Sequence, residues 1–296
     1  MPQHSTEQKS VAAMNSVAAA FGLTLFKIIV GFATGSLGII AEAMHSGLDL
    51  AAASVTAWAV RVSGRPADRD HLYGHGKVEN LSALFETGLL LVTCFWIISA
   101  AVARIRSGKL EIEVTFWSFF VMAVSIAVDI SRSRMLYRVA KKYKSQALEA
   151  DALHFRTDIW SSAVVILGLF CVKLHEWVPQ YEFLHYADAI AAIIVGFVVI
   201  QVSFSLGLRA ISALMDSAPK KMEQEIISIV EKIPGVIDCH QVRIRASGAQ
   251  FFVDLHVTTD GSQTLERAHA LTEEIENVLK STFENADVTV HPEPAQ

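Results

Sequence analysis

Residues Ala41-Glu42-Ala43-Met44-His45-Ser46-Gly47-Leu48-Asp49 lie inside an otherwise apolar run and decide how the rest of the chain is read. The run, roughly 37–60, has the length of about 20 residues that a helix needs to cross a hydrocarbon core. A charge at that depth costs roughly 2.5–3.5 kcal/mol on insertion scales, so the ionisable groups found there mark a pathway or a site. His45 and Asp49 stand four apart, on one face of the predicted helix. The spacing recurs in Asp151-Ala152-Leu153-His154-Phe155-Arg156-Thr157-Asp158, where His154 and Asp158 share a face of a second apolar helix. Two such helices packed together offer two imidazoles and two carboxylates, a closed tetrahedral set suited to Zn2+. A hydrogen bond within the helix explains one His–Asp pair alone equally well. It does not explain why two spans carry the same pair.

Six stretches have spanning length, roughly 11–33, 37–60, 81–103, 114–136, 150–174 and 187–211. The composition agrees: 52% of the 296 residues are hydrophobic, only 19% are charged, and the mean hydropathy is +0.38. Arg61, Arg65, Arg69 and Lys77 follow the second stretch, and Arg132, Arg134, Arg138, Lys141, Lys142 and Lys144 follow the fourth. The opposite connections carry Arg104, Arg106, Lys109 and Lys173. This asymmetry predicts that both termini are cytoplasmic, with a bacterial inner (plasma) membrane as the expected location. The N-terminus reads without a removable signal peptide. Cys94, Cys171 and Cys239 are far apart and form no CxxC, so neither a disulfide framework nor a cysteine zinc knuckle is expected. A net charge of -5 favours no nucleic-acid partner.

Beyond Ser217 the period changes. Residues 221–233 form an amphipathic helix with Ile226, Ile229, Val230 and Ile233 on one face; 241–246 alternate as a strand. Phe251, Val253, Leu255 and Val257 mark one face of the next strand, 265–283 a helix, and Val288 and Val290 a last strand. The order αββαβ predicts a small open-faced sheet with both helices on one side. The expected fold is thus a six-helix transmembrane domain, 1–216, plus a C-terminal α+β cytoplasmic domain, 217–296. His256 and His291 alternate away from the apolar stripes, onto the uncovered face. By parity His240 falls with Val242 and Ile244 instead, unless its strand starts later.

Charge counting gives a mechanism. With neutral histidines the His45–Asp49–His154–Asp158 set carries two negative charges. Zinc neutralises them, and so do two protons placed on imidazoles, whose unperturbed pKa is about 6.5. A site that exchanges these occupants while facing each side in turn is a metal/proton antiporter. Glu42 and Asp151, each one turn before a histidine, either support the ligands or stand near an aqueous cavity, the second reading being favoured, and Glu86 and Asp129 read as packing or cavity residues.

The loop Pro66-Ala67-Asp68-Arg69-Asp70-His71-Leu72-Tyr73-Gly74-His75-Gly76-Lys77-Val78-Glu79, with the paired HxxxD spans and the tail, resembles the cation diffusion facilitator family of divalent-metal/proton antiporters. The resemblance covers nearly the whole chain. It implies a second metal site of Asp68, His71 and His75, and the spacing of these ligands in a Gly-containing loop allows chelation of one ion. It also implies a metallochaperone-like tail that forms a homodimer, with metal sites at His240, His256, His269, His291 and Glu293. Glu293 stands where some members carry aspartate, which preserves a carboxylate but changes its reach. Lys77 and Asp216 occupy the places of a charge interlock. Zn2+ is then both the transported substrate and a structural or regulatory ion, with Fe2+, Cd2+, Co2+ and Mn2+ as alternatives.

Two other classes compete with this reading. An intramembrane metalloprotease needs HExxH with an open coordination position. His175-Glu176 begins that pattern, but position 179 is proline. A membrane metal sensor would bind through the tail without moving the ion, a distinction made by flux.

Overall fold

The computed structural model describes residues 2–107, 116–177, 187–218, 220–248, 250–283 and 285–295. Six long helices come first: α1 (Pro2–Thr34), α2 (Leu37–Ser63), α3 (Lys77–Ser107), α4 (Phe116–Tyr143), α5 (Gln146–Trp177) and α6 (Ala187–Leu214). The shortest has 27 residues, about 40 Å at the helical rise, which exceeds a bilayer core of about 30 Å. Two compact units emerge: Met1–Gly64 with Val78–Ala210, and Arg65–Lys77 with Ile211–Gln296.

The first unit is apolar outside and polar within. Phe21, Ile29, Phe32, Phe95, Trp96 and Phe197 are exposed, while Ser16, Lys27, Thr56, Glu86, Arg132, Asp151 and His154 are buried. Such a surface is solvated by lipid, and its buried ionisable groups must find partners. Small residues let the helices approach closely: Ala12 and Ala13 of α1 and Ala53 and Ala57 of α2 form one cluster with Leu136, Leu148 and Phe155. Between α1 and α2, Gly35 adopts φ +65° and the Ser36 hydroxyl caps α2 by accepting from the Ile39 N–H at 3.4 Å.

By length and composition, Ser5–Thr34, Lys77–Ala103 and Ala192–Leu214 are apolar enough to cross a membrane. The ligand candidates themselves lower the apolarity of α2 and α5. Helix α1 also begins well before its apolar run. Its added turns carry Lys9, which is buried and pairs with Glu79 of α3 at 2.5 Å. The Glu79 carboxylate also accepts from Ser63 at 2.8 Å and from Ser145. A fully hydrogen-bonded buried carboxylate thereby joins α1, α2 and α3 to the start of α5.

In the second unit, α7 (Lys220–Val230) and α8 (Leu265–Thr282) cover one face of a three-stranded sheet. Strands β1 (Asp238–Ser247), β2 (Gln250–Thr259) and β3 (Ala286–Pro294) lie in that order, β1–β2 antiparallel and β2–β3 parallel. The parallel pair needs a crossover, and α8 supplies it. Ile226, Val230, Ile275 and Leu279 pack on Ile244, Val253, Leu255 and Val288, each burial contributing about 1.5–3 kcal/mol. Cys239 joins this core, where burial pushes its thiol up to about 11. It is a packing residue.

The loop 65–77 belongs to this unit. Arg245 of β1 stacks over the Tyr73 ring at 3.5 Å, and Tyr73 meets Phe252 edge to face. Gly76 sits so close to β1 that a Cβ there would lie 2.3 Å from the Ser247 carbonyl oxygen. After α6, Asp216 takes φ +57°, and the Ser217 N–H returns to the Ser212 carbonyl at 2.9 Å.

Candidate metal centre

Inside the helical unit, Asp49 of α2 and His154 and Asp158 of α5 bring ligand atoms within 4.8 Å of one another. His154 Nε2 lies 3.2 Å from Asp49 Oδ1 and 3.6 Å from Asp158 Oδ2. A tetrahedral zinc with bonds of about 2.0–2.1 Å sets its ligand atoms about 3.3 Å apart, so these separations fit one shared ion. His45 stands apart from the trio. Its Nε2 is 3.9 Å from Asp49 Oδ1 and its side chain is 35% exposed. The structure therefore brings three of the expected four groups together and leaves His45 partly exposed on α2.

Around the trio lie further ionisable groups, whose partners spacing did not reveal. Glu86 of α3 faces His154 Nδ1 at 3.4 Å from the edge of the ring opposite the trio. Lys27 of α1 is buried and donates to Ser46 at 2.8 Å and to Glu42 at 3.1 Å, one residue and one turn from His45. Glu42 therefore has an ion-pair partner in Lys27. Asp151 accepts from Ser16 at 3.4 Å. Arg132 donates to the same hydroxyl at 3.1 Å, pairs with Asp129 at 3.5 Å and stacks on Phe155. A lone lysine in the apolar run of α1 was the sequence signal for Lys27. The partners of Glu86, and the Ser16 and Phe155 contacts of Arg132, had no signal, because they come from other helices, whereas Asp129 stands one turn from Arg132 on α4.

In the loop, Asp68 Oδ1 lies 3.2 Å from His71 Nδ1, and Asp68 Oδ2 lies 3.4 Å from His75 Nε2. The Asp68 carboxylate accepts from the backbone N–H groups of His71 at 2.7 Å and Asp70 at 3.0 Å. These bonds, the one from His71 foremost, hold its acid equilibrium below the ordinary carboxylate range. Lys77 reaches Asp216 at 2.8 Å, both groups being partly exposed.

On the uncovered sheet face, His240, His256 and Glu293 converge. Glu293 Oε1 is 2.8 Å from His256 Nδ1, and Glu293 Oε2 is 3.3 Å from His240 Nε2. His240 reaches this face through a β-bulge. It pairs with His256, but the next matched pair is Arg243 with Asp254, so Gln241 and Val242 together oppose Leu255. Gln241 takes φ +49° there. The bulge reverses parity between His240 and Ile244 and resolves the conflict in the alternation. Asp238, absent from the sequence reading, accepts from His240 Nδ1 at 2.8 Å and orients it. His291 pairs in register with His256, its ring 4.7 Å away and its Nε2 3.9 Å from Glu293. His269 lies on α8 beside Glu273 at 3.6 Å, apart from this cluster. The hydrogen bond from His256 holds Glu293 below its ordinary carboxylate value, with charge on His256 and His240 adding.

A polar, carboxylate-lined point between apolar helices, in a chain that also carries a histidine-bearing α+β domain, suits a membrane protein that handles divalent cations. The chain matches the cation efflux transmembrane domain over residues 13–215 and the cytoplasmic domain of cation efflux proteins over 218–295, and it belongs to the cation diffusion facilitator family. It is 31% identical over 296 residues to the cation-efflux pump FieF of Yersinia enterocolitica, covering 99% of this chain and 95% of that one. The FieF of Yersinia pestis is 32% identical over 300 residues, with the same coverage. Among solved structures, the MamM C-terminal domain is similar at 22% identity and a TM-score of 0.25, covering 26% of this chain and 98% of its own. A CzrB structure is similar at 25% identity and a TM-score of 0.26, covering 27% and 99%.

Proposed function

We propose that this chain exports a divalent cation, zinc foremost, in exchange for protons, through a site made of His45, Asp49, His154 and Asp158. The convergence of Asp49, His154 and Asp158 at one membrane-buried point carries this reading. Imidazole with carboxylate suits zinc, while iron, cadmium, cobalt and manganese are the alternatives within the same chemistry. Two carboxylates away from water favour an occupant of two positive charges, and a metal ion or protons meet that need in turn. His45 completes the fourth corner by a rotamer change when the ion enters.

On this reading all six long helices cross a bacterial inner membrane, both termini lie in the cytoplasm, and residues 1–216 form the carrier. Residues 217–296 form the homodimeric cytoplasmic domain. Asp68, His71 and His75 form one cytoplasmic site; His240, His256 and Glu293, with His291 beside them, form another that stabilises or regulates the dimer. Lys77 and Asp216 pair as the charge interlock. The test is purified protein in vesicles with a pH gradient, assayed against a panel of divalent ions. Zinc flux driven by the gradient is expected; zinc binding without flux identifies a sensor and overturns the reading.

A further inference from the structure

The two HxxxD pairs repeat in sequence but not in surroundings. His154 presents Nε2 to Asp49 and Asp158, while its Nδ1 faces Glu86 Oε2 at 3.4 Å. Both of these facing atoms are buried, and neither makes a hydrogen bond to any other group among the described residues. Two orphaned polar atoms, one able to donate and one able only to accept, lie a few tenths of an ångström beyond an ordinary hydrogen bond of each other. The other Glu86 oxygen is held by Thr56 of α2, whose hydroxyl donates at 3.2 Å and is itself 3.4 Å from Ser82. Glu86 and Thr56 are both fully buried.

The geometry points to Glu86 as the positioning residue of the transport site, a role that rests on the transport reading above. Its carboxylate takes the Nδ1–H of His154, fixes that tautomer, and leaves the Nε2 lone pair aimed between Asp49 and Asp158. It is not a ligand, because it meets the opposite edge of the ring. A metal-bound histidine generally needs such an acceptor, which orients the ring and raises its basicity. His45 is part-exposed, and among the described residues its ion-pair contact is with Asp49 on its own helix. The site therefore has a preset trio of Asp49, His154 and Asp158, with His154 braced by Glu86 of α3, and one adjustable corner, His45 of α2. The ion meets the preset trio first and recruits His45 second.

Near-isosteric variants of the full chain test this. Glu86→Met removes the acceptor and keeps the volume; Glu86→Gln keeps a carbonyl oxygen for the same N–H. In vesicles, Glu86→Met is expected to raise the zinc KM about 10–100-fold with a smaller change in maximal rate, and Glu86→Gln to restore KM to within about threefold. Nitrogen NMR of the full-length, histidine-labelled protein, metal-free at alkaline pH, adds a readout that packing alone does not move. His154 is expected to carry its proton on Nδ1 in the wild type and in Glu86→Gln, and to lose that preference in Glu86→Met. An unchanged KM in Glu86→Met, a KM in Glu86→Gln as high as in Glu86→Met, or a wild-type His154 protonated on Nε2 each overturns the proposal. Asp49→Ala serves as the separate control. Flux retained there sinks the transport site itself, whereas flux lost there with a normal KM in Glu86→Met sinks only the role of Glu86.

Discussion

The intramembrane site and the sheet site use the same side chains in opposite settings. In the helices, Asp49, His154 and Asp158 are delivered by one-turn spacing and buried among lipid-facing walls, with Lys27 and Arg132 buried on neighbouring helices. On the sheet, His240, His256 and Glu293 come from three adjacent strands and remain partly open to water. Water lets the sheet site stay empty at little cost. Lipid does not, and a buried carboxylate that loses its counter-charge costs about 3–5 kcal/mol. On the proposed reading, the same ligands make a site that exchanges occupants in one place and a site that only gains or loses one in the other.

The largest effect that can break this contrast falls on the helices. Asp49→Ala or Asp158→Ala should lower the initial zinc rate by at least about 100-fold, with insertion and oligomeric state unchanged. Near-normal flux in either variant removes that carboxylate from the path. His45→Asp comes next. It exchanges a nitrogen for an oxygen ligand and adds a negative charge at the adjustable corner. Zinc should still move, the manganese-to-zinc or cadmium-to-zinc rate ratio should rise about tenfold, and the pH profile should change. Ratios and profile equal to wild type would show that His45 never reaches the ion.

The sheet half predicts smaller, thermodynamic effects. Residues 217–296 expressed alone should melt higher with zinc, by about 10–20 °C at a hundredfold excess over Kd, through linkage. Glu293 is depressed in the folded state, chiefly by His256, so its contribution is present above an unfolded pKa of about 4.3. That contribution is lost as pH falls through the lower folded value. The metal-free melting temperature should therefore fall across that acid window, and Glu293→Gln should flatten the fall. An equal fall in Glu293→Gln would assign the acid sensitivity elsewhere. The smallest effect belongs to His269→Ala. Since His269 stands beside Glu273 on α8, the zinc-induced rise should be the same as in wild type. A lost rise would bring His269 into the site, for instance from a partner subunit.

Much of this was legible in the sequence because it rests on period. The apolar runs foretold α1 to α6, alternation foretold β2 and β3, and four-residue spacing placed His154 with Asp158. What escaped depends on contacts across elements or on single backbone conformations. Nothing in the letters around Gln241 announces the left-handed residue that turns His240 to the sheet's open face. Glu86 was visible as a charge in an apolar run, but its place behind His154 is set by how α3 packs on α5. The start of α1 was hidden for a similar reason: Lys9 looks like a solvated terminus until Glu79 pairs with it and Ser63 and Ser145 donate to the same carboxylate.

The central claim is exchange at the membrane site, and following zinc and protons in the same vesicles tests it most directly. With zinc added outside and a pH-sensitive dye inside, wild-type protein should take up zinc while the lumen becomes more alkaline. Asp158→Ala should abolish both signals together. Zinc uptake that leaves the lumen pH unchanged, with electrical balance supplied by an ionophore, would contradict the account.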